Sequence, residues 1–188
     1  IYMNGYLYDP HTHTAETSKC GHLFAAEVVD RYVRNGFSGL VVTDHLHPEY
    51  LSRIDTQHNW DMVMDHYLTG YHASKKRGDE VGLDVILGAE FRFPENDNDY
   101  LVYGIDEQWL RSNPYACCMS AQEFYDKYHN EVLIIHAHPF RKGSAPVQET
   151  AIHGAEIIND NPRHENNNDK ALAMCRRHPE YYRLAGSD

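Results

Sequence analysis

At 188 residues the chain has the length of one domain with a generous core, and its 41% apolar and 24% charged residues are those of an ordinary globular protein. A formal net charge of -11 repels the phosphates of an extended nucleic acid, and no apolar run approaches the ~20 residues of a membrane-spanning helix, so neither an extended nucleic-acid surface nor a membrane partner is expected. The four cysteines make no C-x-x-C pair, which excludes zinc-knuckle and thioredoxin motifs, and no secretory signal is visible, so reduced thiols in a cytoplasmic setting are expected.

The predicted elements alternate between short apolar strands and helical patterns. Tyr6–Asp9 reads as a strand. Leu23–Asn35 reads as a helix, with Phe24, Val28, Tyr32 and Val33 near helical spacing and Gly36 as its stop. Gly39–Thr43 is a buried strand, and Trp60–Lys76 a helix whose Trp60, Val63, Met64, Tyr67, Leu68 and Tyr71 share one face. Leu83–Leu87 and Tyr100–Tyr103 are strands, with the acidic loop Pro94–Asp99 before the second. Ala121–His129 is a helix, and Glu131–Ile135 and Glu156–Ile158 are strands. The polar loop Asn161–Asn168 leads to a helix over Asp169–Arg177 and a last strand at Tyr182–Ala185. Alternating βα units over residues 1–188 predict a single α/β domain. Parallel strands closed into a small barrel fit better than an open doubly wound sheet, because no Gly-x-Gly-x-x-Gly turn follows the first strand.

In such a barrel the reactive groups gather just past the C-terminal strand ends. The side chains able to bind a metal fall there: Asp9, His11 and His13, then Asp44 and His45, then Glu90, then His136 and His138, then Asn159, and finally Asp188. Side chains at i and i+2 of an extended segment point to the same side, so His11 and His13 can reach one ion. Pro139 is expected to hold His138 extended. Glu90 can bridge two cations with its two oxygens. Mixed histidine and carboxylate sets suit zinc, iron or manganese. His47, His58, His66, His72, His129, His153, His164 and His178 read as exposed residues, and Cys20 as a structural thiol near the site. Arg92 and Arg141 directly follow ligand strands and could grip a phosphate by a two-point contact, with Asn159 and Arg163 as further candidates. No Gly-x-Ser-x-Gly turn supports a serine nucleophile.

Taken in order, Asp9-Pro-His11-Thr-His13, Thr43-Asp44-His45, Gly88-Ala-Glu90, Ala137-His138-Pro139, Glu156…Asn159 and Gly186-Ser-Asp188 resemble the motifs of the polymerase-and-histidinol-phosphatase (PHP) family. The resemblance runs from Asp9 to Asp188. It implies a distorted seven-stranded (β/α)7, TIM-like barrel holding two or three divalent ions (zinc, manganese or iron). His11, His13, Glu90 and Asp188 would hold one ion, Glu90 and His138 a second, and His45 with His22 a third. His136 is either a further ligand or a residue of the barrel wall. Asp9, His22 and Arg141 are assigned to catalysis, with His22 or His136 as general acid, and Arg92, Arg141 and Asn159 to substrate binding. The family pattern has another histidine two positions beyond Asp188, so a longer natural chain is expected. The expected activity is hydrolysis of a small phosphate ester by a metal-activated water. Two rivals stay open: a different barrel metallohydrolase, such as one cleaving amides, and an inactive or regulatory metal-binding module.

Overall fold

The computed structural model describes residues 5–54 and 59–188; the reading of His58 as exposed lies outside them. Strands β1 (Tyr8–Thr12), β2 (Gly39–Val42), β3 (His45–Leu46), β4 (Asp84–Leu87), β5 (Ala89–Arg92), β6 (Asp99–Tyr103), β7 (Leu133–His136), β8 (Gly154–Asn159) and β9 (Tyr182–Gly186) fall into two sheets. One is parallel with the order β1-β2-β4, and the other is six-stranded with the order β3-β5-β6-β7-β8-β9. The two sheets adjoin where consecutive strands follow one another along the chain. The chain passes from β2 to β3 and from β4 to β5 with a break of one or two residues. Hydrogen bonds from Gly88 N to Val42 O (2.9 Å) and from Glu90 N to Asp44 O (3.1 Å) carry the pairing across that break.

The closed seven-stranded barrel expected from the sequence does not form among the described residues. β6 runs antiparallel to both β5 and β7. The link over residues 93–98 is too short for the crossover of about a dozen residues that parallel pairing requires. At the other edge β1 and β9 make no strand ladder, although the Asp188 N–H donates to the His11 carbonyl at 3.0 Å. What remains of the expectation is a mixed α/β fold with parallel pairs at β1-β2-β4, β3-β5 and β7-β8-β9.

The helices are α1 (Ala25–Arg34), α2 (Pro48–Arg53), α3 (Trp60–Tyr67), α4 (Thr69–Val81), α5 (Glu107–Ser112), α6 (Ala121–Tyr128) and α7 (Asn168–Arg177). The helix predicted over Trp60–Lys76 is two, α3 and α4, meeting at Leu68. The second outruns the prediction because Gly82, with φ +76°, supplies the left-handed residue that ends it. Ser120 and Glu123 cap α6 reciprocally. No helix among the described residues is long and apolar enough to cross a membrane.

Strand alternation sorts the side chains onto two faces. Phe91, Tyr100, Val102 and Ile134 point outward and pack with Phe93, Phe124, Leu110 and Tyr128 beneath the helices. Each fully buried side chain of this size stabilises the fold by about 1.5–3 kcal/mol. Leu101, Ile135 and Ala137 line the other face, with Tyr103, Leu133 and Leu184 against them. Glu90 pairs with Leu101, and Asp99 lies two residues before it, so both carboxylates project to this inner side.

Candidate metal centre

The inner face ends in a buried cluster of imidazoles and carboxylates. His11 and His13, two residues apart on and just past β1, bring their Nε2 atoms to 3.2 Å from one another. His11 Nε2 lies 3.4 Å from Glu90 Oε1 and 3.6 Å from Asp188 Oδ1. His13 Nε2 lies 3.2 Å from Glu90 Oε2 and 3.1 Å from the same Asp188 oxygen. His138 Nε2 is 3.1 Å from Glu90 Oε1 and 3.8 Å from Asp99 Oδ2. Glu90, fully buried, is the common member.

These spacings fit a metal. Ligand atoms about 2.1 Å from a tetrahedral ion stand about 3.4 Å apart, and the separations above scatter around that edge length. Buried polar groups ordinarily find hydrogen-bond partners, yet His13 Nδ1, His45 Nδ1, His138 Nδ1 and Glu90 Oε2 have none. His45 Nδ1 approaches Glu90 Oε2 to 3.0 Å without the alignment of a hydrogen bond. The donors fall into overlapping sets: His11, His13 and Asp188; His11, Glu90 and His138; His45, Glu90 and Asp99; His13, Cys20 and His45.

Electrostatics bind the cluster tightly. Burial opposes charge on His11, but Glu156 and Glu90 outweigh it and hold the ring well above the usual histidine range. His13 is raised in the same way, against its burial, by Asp188 and Glu90. Burial would raise Glu90 and Asp188, yet His45 and His11 hold the first, and His13 and His11 the second, below the ordinary carboxylate range. His45 is lowered, chiefly by burial.

A second layer orients these groups. Glu156 Oε1 meets His11 Nδ1 at 3.0 Å, and its Oε2 accepts from the His138 N–H and from Asn159 Nδ2, both at 2.9 Å. That backbone bond accompanies a φ of +32° at His138; the extended conformation expected from Pro139 does not occur. Asp44 accepts from the Thr14 N–H (2.8 Å), Thr14 Oγ1 (2.7 Å) and Ser18 Oγ (2.6 Å), clamping the loop after β1. Arg92 makes a two-point contact with Asp99, both bonds at 2.8 Å. Arg141 donates to Asp188, to Asn159 Oδ1 at 3.1 Å and to Asn166 Oδ1 at 2.9 Å.

The cluster thus gathers His11, His13, His45, Glu90, His138 and Asp188, with Arg92, Arg141 and Asn159 against its carboxylates. It leaves out two residues assigned to catalysis. Asp9 turns away: its Oδ1 accepts from the His11 N–H (3.0 Å) and the Ser187 N–H (3.3 Å), and its Oδ2 from Tyr32 (2.6 Å). It therefore positions the strand ends and meets the cluster only through the backbone N–H of His11. His22 is exposed and faces Arg163 Nη1 at 2.5 Å. His136 belongs to the wall: it pairs with Tyr100 and stacks on that ring at 5.0 Å on the outer face, and burial pushes its pKa down to about 3. His47, read as exposed, is buried, with Nδ1 accepting from the Tyr50 N–H at 3.1 Å to cap α2. Two acids beside the cluster go beyond the sequence expectation: Asp99, expected in a loop, opens β6, and Glu156, expected only as part of a motif, orients His11 and His138. A buried acid in mid-strand is the signal that could have found the second.

A cavity of about 520 Å³ meets the cluster at His13, Cys20 and Asp188. Its apolar wall is Leu23, Val28, Tyr32 and Phe37, and Arg31 and Arg163 stand among its lining residues.

Solved structures share this fold. A two-domain protein from Bacteroides vulgatus containing a predicted PHP-like metal-dependent phosphoesterase matches with a TM-score of 0.67 at 17% identity, over 96% of this chain and 51% of that one. The chain thus spans about half of that protein's length. A protein from Bifidobacterium adolescentis, assigned as a metal-dependent phosphoesterase, matches with a TM-score of 0.61 at 13% identity, over 97% of this chain and 87% of its own. An amidohydrolase from Chromobacterium violaceum, with bound sulfate and no metal, matches with a TM-score of 0.61 at 14% identity, over 96% and 86%. No family model and no curated protein matches the chain. At these identities the likeness establishes a PHP-like fold.

Proposed function

We propose that this PHP-like fold carries a metal-dependent hydrolase of small phosphate esters. The observation that supports it is the spacing of five donors, the Nε2 atoms of His11, His13 and His138 and the carboxylates of Glu90 and Asp188, at the edge lengths of metal coordination, with Glu90 Oε2 lacking any hydrogen bond.

His11, His13, Glu90 and Asp188 would hold one divalent ion, and Glu90, His138 and His11 a second. Bound there, such ions supply Lewis acidity, lowering the pKa of water and screening phosphoryl oxygens. Glu156 fixes the His11 tautomer from behind, and Arg141 holds Asp188 in place. Arg141 has five N–H donors. Those on Nη1 make no bond among the described residues, which leaves them for a phosphate oxygen. The cavity beside His13 and Asp188 would take the organic part of the ester, with its apolar wall excluding water.

Amide hydrolysis is the second reading, favoured by the fold shared with the Chromobacterium amidohydrolase. The test is to strip the protein with chelator, restore manganese or zinc, and assay an aryl phosphate beside an N-acyl amino acid. Phosphate release that depends on the restored ion is expected. Amide cleavage without phosphate release would favour the second reading, and neither activity in protein shown to carry metal would point to a regulatory module.

A further inference from the structure

The loop between β1 and α1 carries a thiol to the edge of the cluster. Cys20 Sγ, one imidazole nitrogen of His13 and one of His45 all lie within 4.8 Å of one another. The two rings stack, with centroids 4.7 Å apart and planes 17° from parallel. His13 is only 8% exposed, and its Nδ1 has no hydrogen-bond partner, while its Nε2 is committed to Glu90 and Asp188. A buried imidazole nitrogen left without a partner is an incomplete interaction. It costs on the order of 1–3 kcal/mol unless something satisfies it.

The loop is built to hold the thiol there. Ser18 Oγ donates to Asp44 Oδ1 at 2.6 Å and accepts from the His45 N–H at 3.0 Å, so the turn is tied to the segment that bears His45. Gly21 lies against the Thr14 backbone: a Cβ there would meet the Thr14 carbonyl carbon at 2.5 Å and its oxygen at 2.6 Å. Arg163 Nη1 donates to the Cys20 carbonyl at 3.2 Å and faces His22 Nε2, which keeps His22 on the outside of the turn.

We propose that Cys20 is a metal ligand, forming with His45 and His13 a sulfur-containing position for zinc beside the cavity that His13 and Cys20 line. It fills the place that the sequence offered to His22. A soft thiolate with imidazoles selects zinc over manganese, so this position differs in metal preference from the oxygen-rich positions around Glu90. His13 is common to the two donor sets, which couples their occupancy. The inference rests on the metal-centre reading, and its test separates the two.

Cobalt is a spectroscopic stand-in for zinc. The metal-free full chain is titrated with cobalt alone, and its absorption is recorded. The expected result is visible ligand-field bands together with a near-ultraviolet thiolate-to-cobalt charge-transfer band. Cys20→Ser should lose the charge-transfer band and one cobalt equivalent per chain while keeping ligand-field absorption. His22→Ala and Cys118→Ser, at an exposed imidazole and an exposed thiol, should keep both signals. Ligand-field bands without charge transfer in the unmodified chain would overturn the role of Cys20 and leave the rest of the centre standing. Because that spectrum needs no variant, it decides the matter even if Cys20→Ser does not fold. A charge-transfer band that survives Cys20→Ser also overturns the proposal, by assigning the sulfur to another cysteine. No cobalt bound at all would overturn both the proposal and the metal reading beneath it.

Discussion

Glu156 Oε1 stands 3.0 Å from His11 Nδ1, on the side of the ring away from the nitrogen that faces Glu90 and Asp188. A carboxylate behind a ligating imidazole fixes its tautomer and raises its basicity, and removing such a partner typically costs 10–100-fold in metal affinity. Glu156→Gln keeps the shape and removes the charge. Zinc affinity measured by competition with a chelating dye should fall by about 10–100-fold, with the fold retained by circular dichroism. Unchanged affinity would show that the His11–Glu156 pair is structural alone.

The same pair explains a glycine. A Cβ on Gly186 would meet His11 Cβ at 2.6 Å and Glu156 Oε1 at 2.7 Å, closer than real side chains pack. Gly186→Ala must therefore displace one of them. The expected cost is about 1–3 kcal/mol of stability, as for other overpacked positions, together with a loss of metal content greater than that of Glu156→Gln. A variant as stable as the parent and fully metallated would mean that β9 yields at Gly186.

Glu90 touches His11, His13, His45 and His138 at 3.0–3.4 Å. Glu90→Gln should weaken more than one metal position together and reduce hydrolysis to background. His72→Ala, at an exposed ring bonded to Glu107, should leave metal content and activity unchanged. Elemental analysis of the two purified variants checks this, and equal metal content in both would place the centre elsewhere.

Why some of this was legible in the sequence and some was not follows from geometry. His11-Thr-His13 could be read because one strand fixes the relation of i to i+2. His136 could not be placed because both faces of β7 are buried, so hydrophobic alternation does not say which side of Ile135 and His136 looks inward. Asp99 was hidden by its neighbours: Pro94, Glu95, Asn96, Asp97 and Asn98 read as a polar loop, whereas the chain turns back within it and enters β6 at Asp99. The same hairpin spoiled the parallel-barrel expectation. The segment from Thr14 to Leu23 has no periodicity, and long-range bonds of Ser18, Asp44 and Arg163 hold Cys20 towards the cluster and His22 away from it.

The last expectation concerns pH. In the metal-free protein His11 and His13 have pKa values raised well above the usual one, despite burial, by Glu156, Glu90 and Asp188. In the unfolded chain both titrate near 6.5. Their contribution to stability is therefore complete below about 6.5 and is lost as pH rises through the folded-state values. His45, His47 and His136 are lowered, first of all by burial, the last two to about 4 and about 3. Their contribution has the opposite sign: it is present above about 6.5 and lost as pH falls towards the folded-state values. Metal-free protein should accordingly show its highest Tm near pH 6.5, declining on both sides. Metal requires the deprotonated imidazoles, so zinc displaces the protons on His11 and His13 and abolishes the alkaline decline. The rise in Tm on adding zinc should be small at pH 5.5 and grow steadily to pH 8. Differential scanning fluorimetry across that range, with and without zinc, measures it. A zinc-induced shift that is flat with pH, or larger in acid, would show that His11 and His13 do not exchange protons for metal.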